Sequence, residues 1–184
     1  MNLVFRLIAV VLGALRRPRL GPLDESVVAF RVLPNDLDTN LHLNNGRFLT
    51  LMDLGRVDLM IRMGVVGEMR RRRWYPVIAS AGIRFRRSLS PFQRFHIHTR
   101  LLCWDDRWFY MEQRFTARGE TVASAVVKAR FLAPGGARLA PQQVVDATPY
   151  SIPSPPMPAG VRAWTEAEDL LQEDNGRGIP ERAA

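Results

Sequence analysis

Residues 48–63 constrain the fold most, because they read as a helix that is apolar on most of its sides. Phe48, Met52, Gly55, Leu59 and Met63 share one face at helical spacing, and Leu49 and Met60 widen it. Leu51, Leu54, Val57 and Ile61 lie around the rest of the cylinder. A helix that only rests on a core shows a single apolar stripe, so one of this kind has to be enclosed by other elements. Gly55 in mid-face is disfavoured by about 1 kcal/mol relative to Ala, which predicts that another backbone comes close there. Gly64 and Gly67 supply C-terminal stops.

The segments able to enclose this helix read as strands. Residues 26–33 precede it, with Val27, Val28, Phe30 and Val32, and residues 77–87, 94–104, 108–117 and 121–132 follow it with β-branched and aromatic content. Their links at 88–91, 105–106 and 118–120 are of hairpin length and predict an antiparallel meander. Ile83 and Phe85 alternate with Arg84 and Arg86, as on a strand with one buried and one wet face. The expected class is α+β, with about five antiparallel strands wrapped around one long central helix.

With 184 residues, 47% of them hydrophobic, the chain can bury one core but not two. The expected organisation is an apolar helix at 1–19, a domain at 24–133, and a Pro-rich, largely irregular tail at 134–184. Five prolines between 149 and 158 exclude regular structure there, although Thr165 and Glu168 have the spacing of a capping box for a short acidic helix. The formal charge of +8, carried almost wholly by arginine because Lys128 is the single lysine, suits an anionic partner. That partner can be a lipid surface, an acidic carrier protein or a phosphate-bearing molecule. Nucleic acid is not expected, because stacking aromatics and a known module signature are missing.

The lone Cys103 excludes an internal disulfide, fits a reducing compartment and reads as a small buried residue. His96 and His98 share a strand face, but no third ligand accompanies them, so no metal is expected and the pair reads as a surface feature. No cofactor is implied.

Residues 3–15 form an apolar run interrupted by Arg6 and followed by Arg16, Arg17 and Arg19. The run falls short of the roughly 20 residues that span a bilayer. Its charge follows the apolar stretch instead of preceding it, unlike a signal peptide. An interfacial helix on acidic lipid is expected, with Leu3, Leu7, Val10, Val11 and Ala14 facing the membrane; packing against the domain is the alternative.

Between the first strand and the enclosed helix lie Asp36, Asp38, Asn40, His42, Asn44 and Asn45, six polar side chains in ten residues. One or two of these would read as turn and N-cap residues. Six beside the electropositive end of a helix outline acyl-transfer or hydrolytic chemistry. Asp38 suits a nucleophile or a base for water, the amides near Asn45 and Gly46 suit a developing oxyanion, and the bland alternative is that Asp38 only caps the helix. Asp36 reads as a turn residue. Asp53 and Arg56 have the spacing of an i,i+3 ion pair, which in an enclosed helix has to be hydrogen-bonded near the active site or a subunit boundary.

The run Asp38-Thr39-Asn40-Leu41-His42-Leu43-Asn44-Asn45 resembles the Asp-x-Asn-x-His-x-Asn-Asn signature of hotdog-fold acyl-CoA and acyl-ACP thioesterases of the 4-hydroxybenzoyl-CoA thioesterase-like group. Through Gly46-Arg47-Phe48-Leu49 and Asp53-Leu54-Gly55-Arg56 it is similar to the branch named for thioesterase superfamily member six, whose animal members are membrane-associated. The likeness covers roughly residues 24–133. It implies a hotdog fold and hydrolysis of a fatty acyl-CoA or acyl-ACP, with Asp38, Asn40 and His42 as catalytic residues. Asn45, Gly46, Asp53 and Arg84 are then expected to bind substrate, in a site shared between subunits of a homodimer or homotetramer. The expected location is cytoplasmic, peripheral on the inner face of a membrane. Rival readings are a non-catalytic acyl-binding or membrane-associated scaffold and an enoyl-thioester hydratase. The hydratase pattern Asp-x-Asn-Pro-x-His places its histidine one residue further on and contains a proline absent here.

Overall fold

Five antiparallel strands wrap one helix in the structure, a computed structural model that describes residues 3–176. The elements in order are α1 (Leu3–Arg16), β1 (Ser26–Arg31), α2 (Asn45–Arg62), α3 (Val65–Arg72), β2 (Tyr75–Phe85), β3 (Arg94–Trp104), β4 (Phe109–Ala117), β5 (Glu120–Leu132), α4 (Pro141–Asp146) and α5 (Ala159–Gly176). The sheet order is β1-β3-β4-β5-β2, so β1 and β2 are the edges. This is the hotdog arrangement.

The enclosed helix is α2. Phe48, Leu51, Met52, Leu54 and Leu59 are each at most 3% exposed, and they pack on Phe95, Ile97, Phe115, Ala125 and Val127 of the inner sheet face and on Leu101, Phe109 and Phe131 further along it. Phe48 meets Phe115 and Phe85 edge-on, at ring separations of 4.8 and 5.1 Å. At Gly55 a Cβ would stand 2.6 Å from Thr99 Oγ1 and 3.1 Å from both Gln113 Nε2 and Ile97 Cγ2, so the close approach comes from three side chains of the sheet and not from a backbone. Gln113 is fully buried there and donates to Met52 O and Thr99 Oγ1, each at 2.9 Å. Gly64 stops α2 with φ +84, a left-handed conformation that a side chain would resist.

The sequence pattern misplaces one connection. β3, β4 and β5 form the expected meander, but β2 pairs with β5 and not with β3, so the link at 86–93 is no hairpin. It crosses the end of the sheet instead: Arg86 N–H and Arg87 N–H donate to Val122 O, Leu43 N–H donates to Leu89 O, and Phe92 N–H donates to Val32 O. Leu89, at its middle, is completely buried under the polar loop. The local residues of this link look like a turn, whereas its path is set by which edge of the sheet β2 occupies.

The C-terminal segment also differs from the irregular tail expected. α4 places Val144 and Val145 against the α2 end of the core, and α5 lies on the outer sheet face, where Val161 and Trp164 pack with Cys103, Tyr110 and Val126. α5 starts at Ala159, so Thr165 lies inside it and bonds back to Val161 O instead of capping it. Residues 177–184, the end of the expected tail, fall outside the described residues. Burial, with the Asp105 charge beside it, pushes the Cys103 thiol up to about 11.

α1 packs on the domain through Arg6, Val10 and Ala14, which are at most 4% exposed. Val10 and Ala14 therefore face inward, and the outward apolar face is Val4, Phe5, Leu7, Ile8, Leu12 and Leu15. Two ion pairs fasten this helix: Arg6 bonds Asp36, and Arg17 bonds Asp58, a fully buried carboxylate that also accepts from Ser26 Oγ. Among the described residues no helix is long and apolar enough to cross a membrane.

Candidate active site

The loop between β1 and α2 is a tight hairpin closed by backbone bonds. Asp38 N–H donates to His42 O at 2.8 Å, Asn44 N–H donates to Asp36 O at 2.9 Å, and Leu37 bridges Leu43. Leu41, at its tip, adopts φ 56 and is exposed. Turning so sharply leaves backbone donors inside the loop, and Asp38 satisfies two of them: its Oδ1 accepts from Asn40 N–H at 2.8 Å and from His42 N–H at 3.2 Å. Its Oδ2 accepts no bond among the described residues. The carboxylate is thus half engaged and half-buried, held in place by one oxygen with the other available.

Asp38 lines a cavity of about 310 Å³ together with Asn40, His42, Asn45, Phe48, Phe85, Arg86, Arg87 and Ser88, among others. Four expected site residues therefore line one cavity. The His42 imidazole makes no hydrogen bond among the described residues and is free to meet a ligand. At the helix start the amides divide. Gly46 N–H donates to Asn44 Oδ1 at 2.8 Å, the N-cap of α2, and is not free for an oxyanion. Asn45 N–H has no partner among the described residues and keeps that capacity.

Asp53 and Arg84 stand elsewhere. Arg84 is exposed on a polar surface hollow with Arg86, Arg87 and Glu120. Asp53 pairs with Arg56, whose Nη1 donates to Gln113 Oε1 at 2.5 Å. Burial lowers the Arg56 pKa from the usual arginine value, with Asp53 opposing that shift. Both border a second cavity, of about 320 Å³, beside the C-terminal half of α2. Met60, Met63, Ile78, Met111, Phe131 and Val145 are among the side chains that make it apolar.

Several functional neighbours were not singled out from sequence. Phe48 enters the loop cavity from the first turn of α2, Phe85 from the end of β2, and Arg87 from the 86–93 link that crosses the end of the sheet. The apolar cavity needs α4, which six residues with little periodicity did not announce. Asp36 is not a plain turn residue: it is fully buried and accepts from Arg6 Nη1 and Nη2 at 3.1 and 2.5 Å, from Arg47 Nη2 at 2.8 Å and from Leu33 N–H at 2.9 Å. Burial alone would raise its pKa, but Arg6, the Leu33 amide and Arg47 outweigh it and hold the carboxyl below its usual range. His98 is a tether between Glu25 and Thr116, at 2.9 Å to each, and not part of a bare surface pair.

Residues 32–165 match the thioesterase-like superfamily. The chain belongs to this superfamily. The match takes in the polar loop, the central helix and all strands but β1, and it runs past β5 into α5. The chain is also 40% identical over 139 residues to the protein THEM6 of Xenopus laevis, a stretch that covers 75% of this chain and 66% of the frog protein. The chain therefore spans just under two thirds of that relative's length. Among solved structures, a probable thioesterase from Bartonella henselae superposes with a TM-score of 0.59 at 19% identity, covering 64% of this chain and 98% of that one. A gentisyl-coenzyme A thioesterase superposes at 0.60 with 21% identity, covering 66% and 99%. At these identities the likeness of this thioesterase-like chain to the solved structures is one of fold.

Proposed function

We propose that the protein hydrolyses acyl thioesters of coenzyme A or acyl carrier protein to the free acid and thiol. The observation that carries this reading is the Asp38 carboxylate, fixed through one oxygen with the other unbonded, in a residue that lines one cavity together with His42 and with Asn45, whose amide is unpartnered among the described residues. Asp38 takes a proton from water, whose oxygen adds to the thioester carbonyl, or attacks that carbonyl itself to give a mixed anhydride that water then hydrolyses; in either route Asn45 N–H meets the developing oxyanion, and the thiolate leaves and takes up a proton derived from that water. The apolar cavity beside α2 suits the acyl chain. Superfamily membership supports the reaction class.

The two cavities fit one substrate if the protein is a homodimer joined along β2. This edge strand is eleven residues long and exposes Tyr75, Ile78 and Phe85. In one protomer the loop cavity lies at Phe85 and the apolar cavity at Pro76 and Ile78, seven residues or about 23 Å apart along the strand. Antiparallel pairing of β2 with its copy brings the Phe85 end of one protomer to the Tyr75 end of its partner, so the loop of one serves the apolar cavity of the other. A stable monomer in light scattering at micromolar concentration would count against this assembly. A membrane-peripheral location rests on the outward apolar face of α1 and on Arg16, since Arg17 and Arg19 are already bonded to Asp58 and to Ile61 O. Replacing Phe5 and Leu12 with serine leaves the packed face intact and should abolish sedimentation with acidic vesicles; unchanged sedimentation would refute it.

The test of activity is thiol release from a panel of acyl-CoA substrates by the wild type and by Asp38→Asn. Release by the wild type and its loss in the variant are expected. No release from any substrate, with acyl chains still bound, would favour the scaffold reading, in which the bonds from Asp38 to its own loop are its whole role.

A further inference from the structure

Arg130 is buried on the outer face of the sheet without a counter-ion. It alternates on β5 with Ala129 and Phe131, which line the apolar cavity on the inner face, so its side chain points the other way, opposite Val77 of β2. It is 7% exposed, its Nε has no hydrogen-bond partner, and it forms no ion pair among the described residues. Its guanidinium lies over the Trp108 ring, 3.5 Å from the centroid. Stacking of this kind uses the π face and leaves the in-plane N–H donors unspent.

The neighbouring charges deepen the deficit. Burial lowers the pKa of Arg130 from the usual arginine value, and the charges of Arg138 and Arg107 lower it further, with Asp105 opposing. Asp105 is already committed: its Oδ1 accepts from the N–H groups of Arg107 and Trp108 at 2.7 and 2.6 Å, and its Oδ2 accepts from the Tyr110 hydroxyl at 2.8 Å. Glu168 of α5 lies 3.4 Å from Lys128. Arg107 precedes Trp108, on which Arg130 stacks, and Arg138 bridges Leu132, two residues along β5 from Arg130. A buried, unpaired guanidinium beside these two exposed arginines is unfavourable on its own and favourable once an anion joins it.

We propose that Arg130, with Arg107 and Arg138, forms a phosphate-binding site on the outer sheet face, separate from the Asp38 cavity. The planar guanidinium offers a bidentate fork, Trp108 fixes its orientation, and the two exposed arginines close on the remaining phosphate oxygens. The shared chemistry is a phosphate group, free or carried on a small nucleotide. The site stands independently of the hydrolase reading.

Isothermal titration at low ionic strength with inorganic phosphate and with adenosine 3′,5′-bisphosphate tests it on the full chain. Binding of at least one ligand is expected, weakened about tenfold or more in Arg130→Gln. The double variant Arg107→Ala with Arg138→Ala changes only exposed side chains, so it keeps the test decisive if Arg130→Gln fails to fold, and it should weaken binding similarly. Binding should also perturb tryptophan fluorescence, and Trp108→Phe should remove that change. Both ligands binding identifies phosphate itself as sufficient; the bisphosphate alone binding identifies a nucleotide. No binding to the wild type, or binding that the double variant leaves unchanged, overturns the proposal.

Discussion

Asp36 and Asp38 stand two residues apart in one loop and have opposite surroundings. Asp36 is fully buried and receives donors from α1, α2 and its own turn. Asp38 is half-buried, bonded only to its own hairpin, with one oxygen left open. A carboxylate whose lone pairs are filled by two arginines has no capacity left for substrate, whereas a carboxylate fixed at one oxygen is oriented and still basic at the other. The pair shows how one loop is both anchored and kept reactive: Asp36 ties it to two helices so that Asp38 can be presented from a rigid turn.

This contrast is open to attack first at Asp36. Asp36→Ala leaves Arg6 buried and Arg47 partly buried without their anion, and should destabilise the protein by about 3 to 5 kcal/mol in chemical denaturation. A loss below about 1 kcal/mol would show that the arginines find other partners and that Asp36 is no anchor. Asp38→Asn comes next: its side-chain oxygen still accepts from the Asn40 and His42 amides, so stability should change by no more than about 0.5 kcal/mol. Thioester turnover should meanwhile fall by about 10² to 10⁴-fold. Equal loss of stability in the two variants would erase the distinction.

Acid sharpens the same contrast more gently. The folded pKa of Asp36 lies below its reference value of 3.8, so its contribution to stability is complete above that value and is lost as the pH falls through the folded one. Glu25, held below its reference of 4.5 by His98 and Arg114 against the opposing effect of burial, acts in the same direction. Melting temperature followed from pH 6 downward should therefore decline below about pH 4 in the wild type and less steeply in Asp36→Asn. Parallel curves would remove Asp36 from the acid transition. A modest effect is expected at Asn44, where Asn44→Ala deletes the cap on Gly46 N–H and should lower stability by about 1 kcal/mol. It also frees a second amide beside Asn45, so any gain or loss in turnover measures how far the capped end of α2 contributes to the oxyanion site.

Much of this architecture was legible from residue order. The all-round apolar pattern of 48–63 required an enclosed helix, and the strands that enclose it begin and end within a few residues of where alternation placed them. The helix start was expected near Asn45 and Gly46 and lies at Asn45, although its cap is Asn44 and not Asp38. Such features depend on local spacing, which a sequence carries directly. Asp38, Asn40, His42 and Asn45 also fell together because they are neighbours in the chain. What escaped depends on distant contacts. The irregular reading of 134–184 weighed prolines that break regular structure locally, whereas α4 and α5 are held by the faces they cover.

Sequence by itself determined that a polar, carboxylate-bearing loop precedes an enclosed helix within an antiparallel α+β domain, since period and capping are local properties of the chain. Only the tertiary structure decided which of the loop's two aspartates is spent. That choice depends on Arg6 lying thirty residues upstream and Arg47 eleven residues downstream, and on a connection that crosses the sheet to bring Arg86 and Arg87 to the other aspartate. Ion pairs and cavities form between residues that the fold brings together, and no spacing within the loop distinguishes the buried carboxylate from the open one.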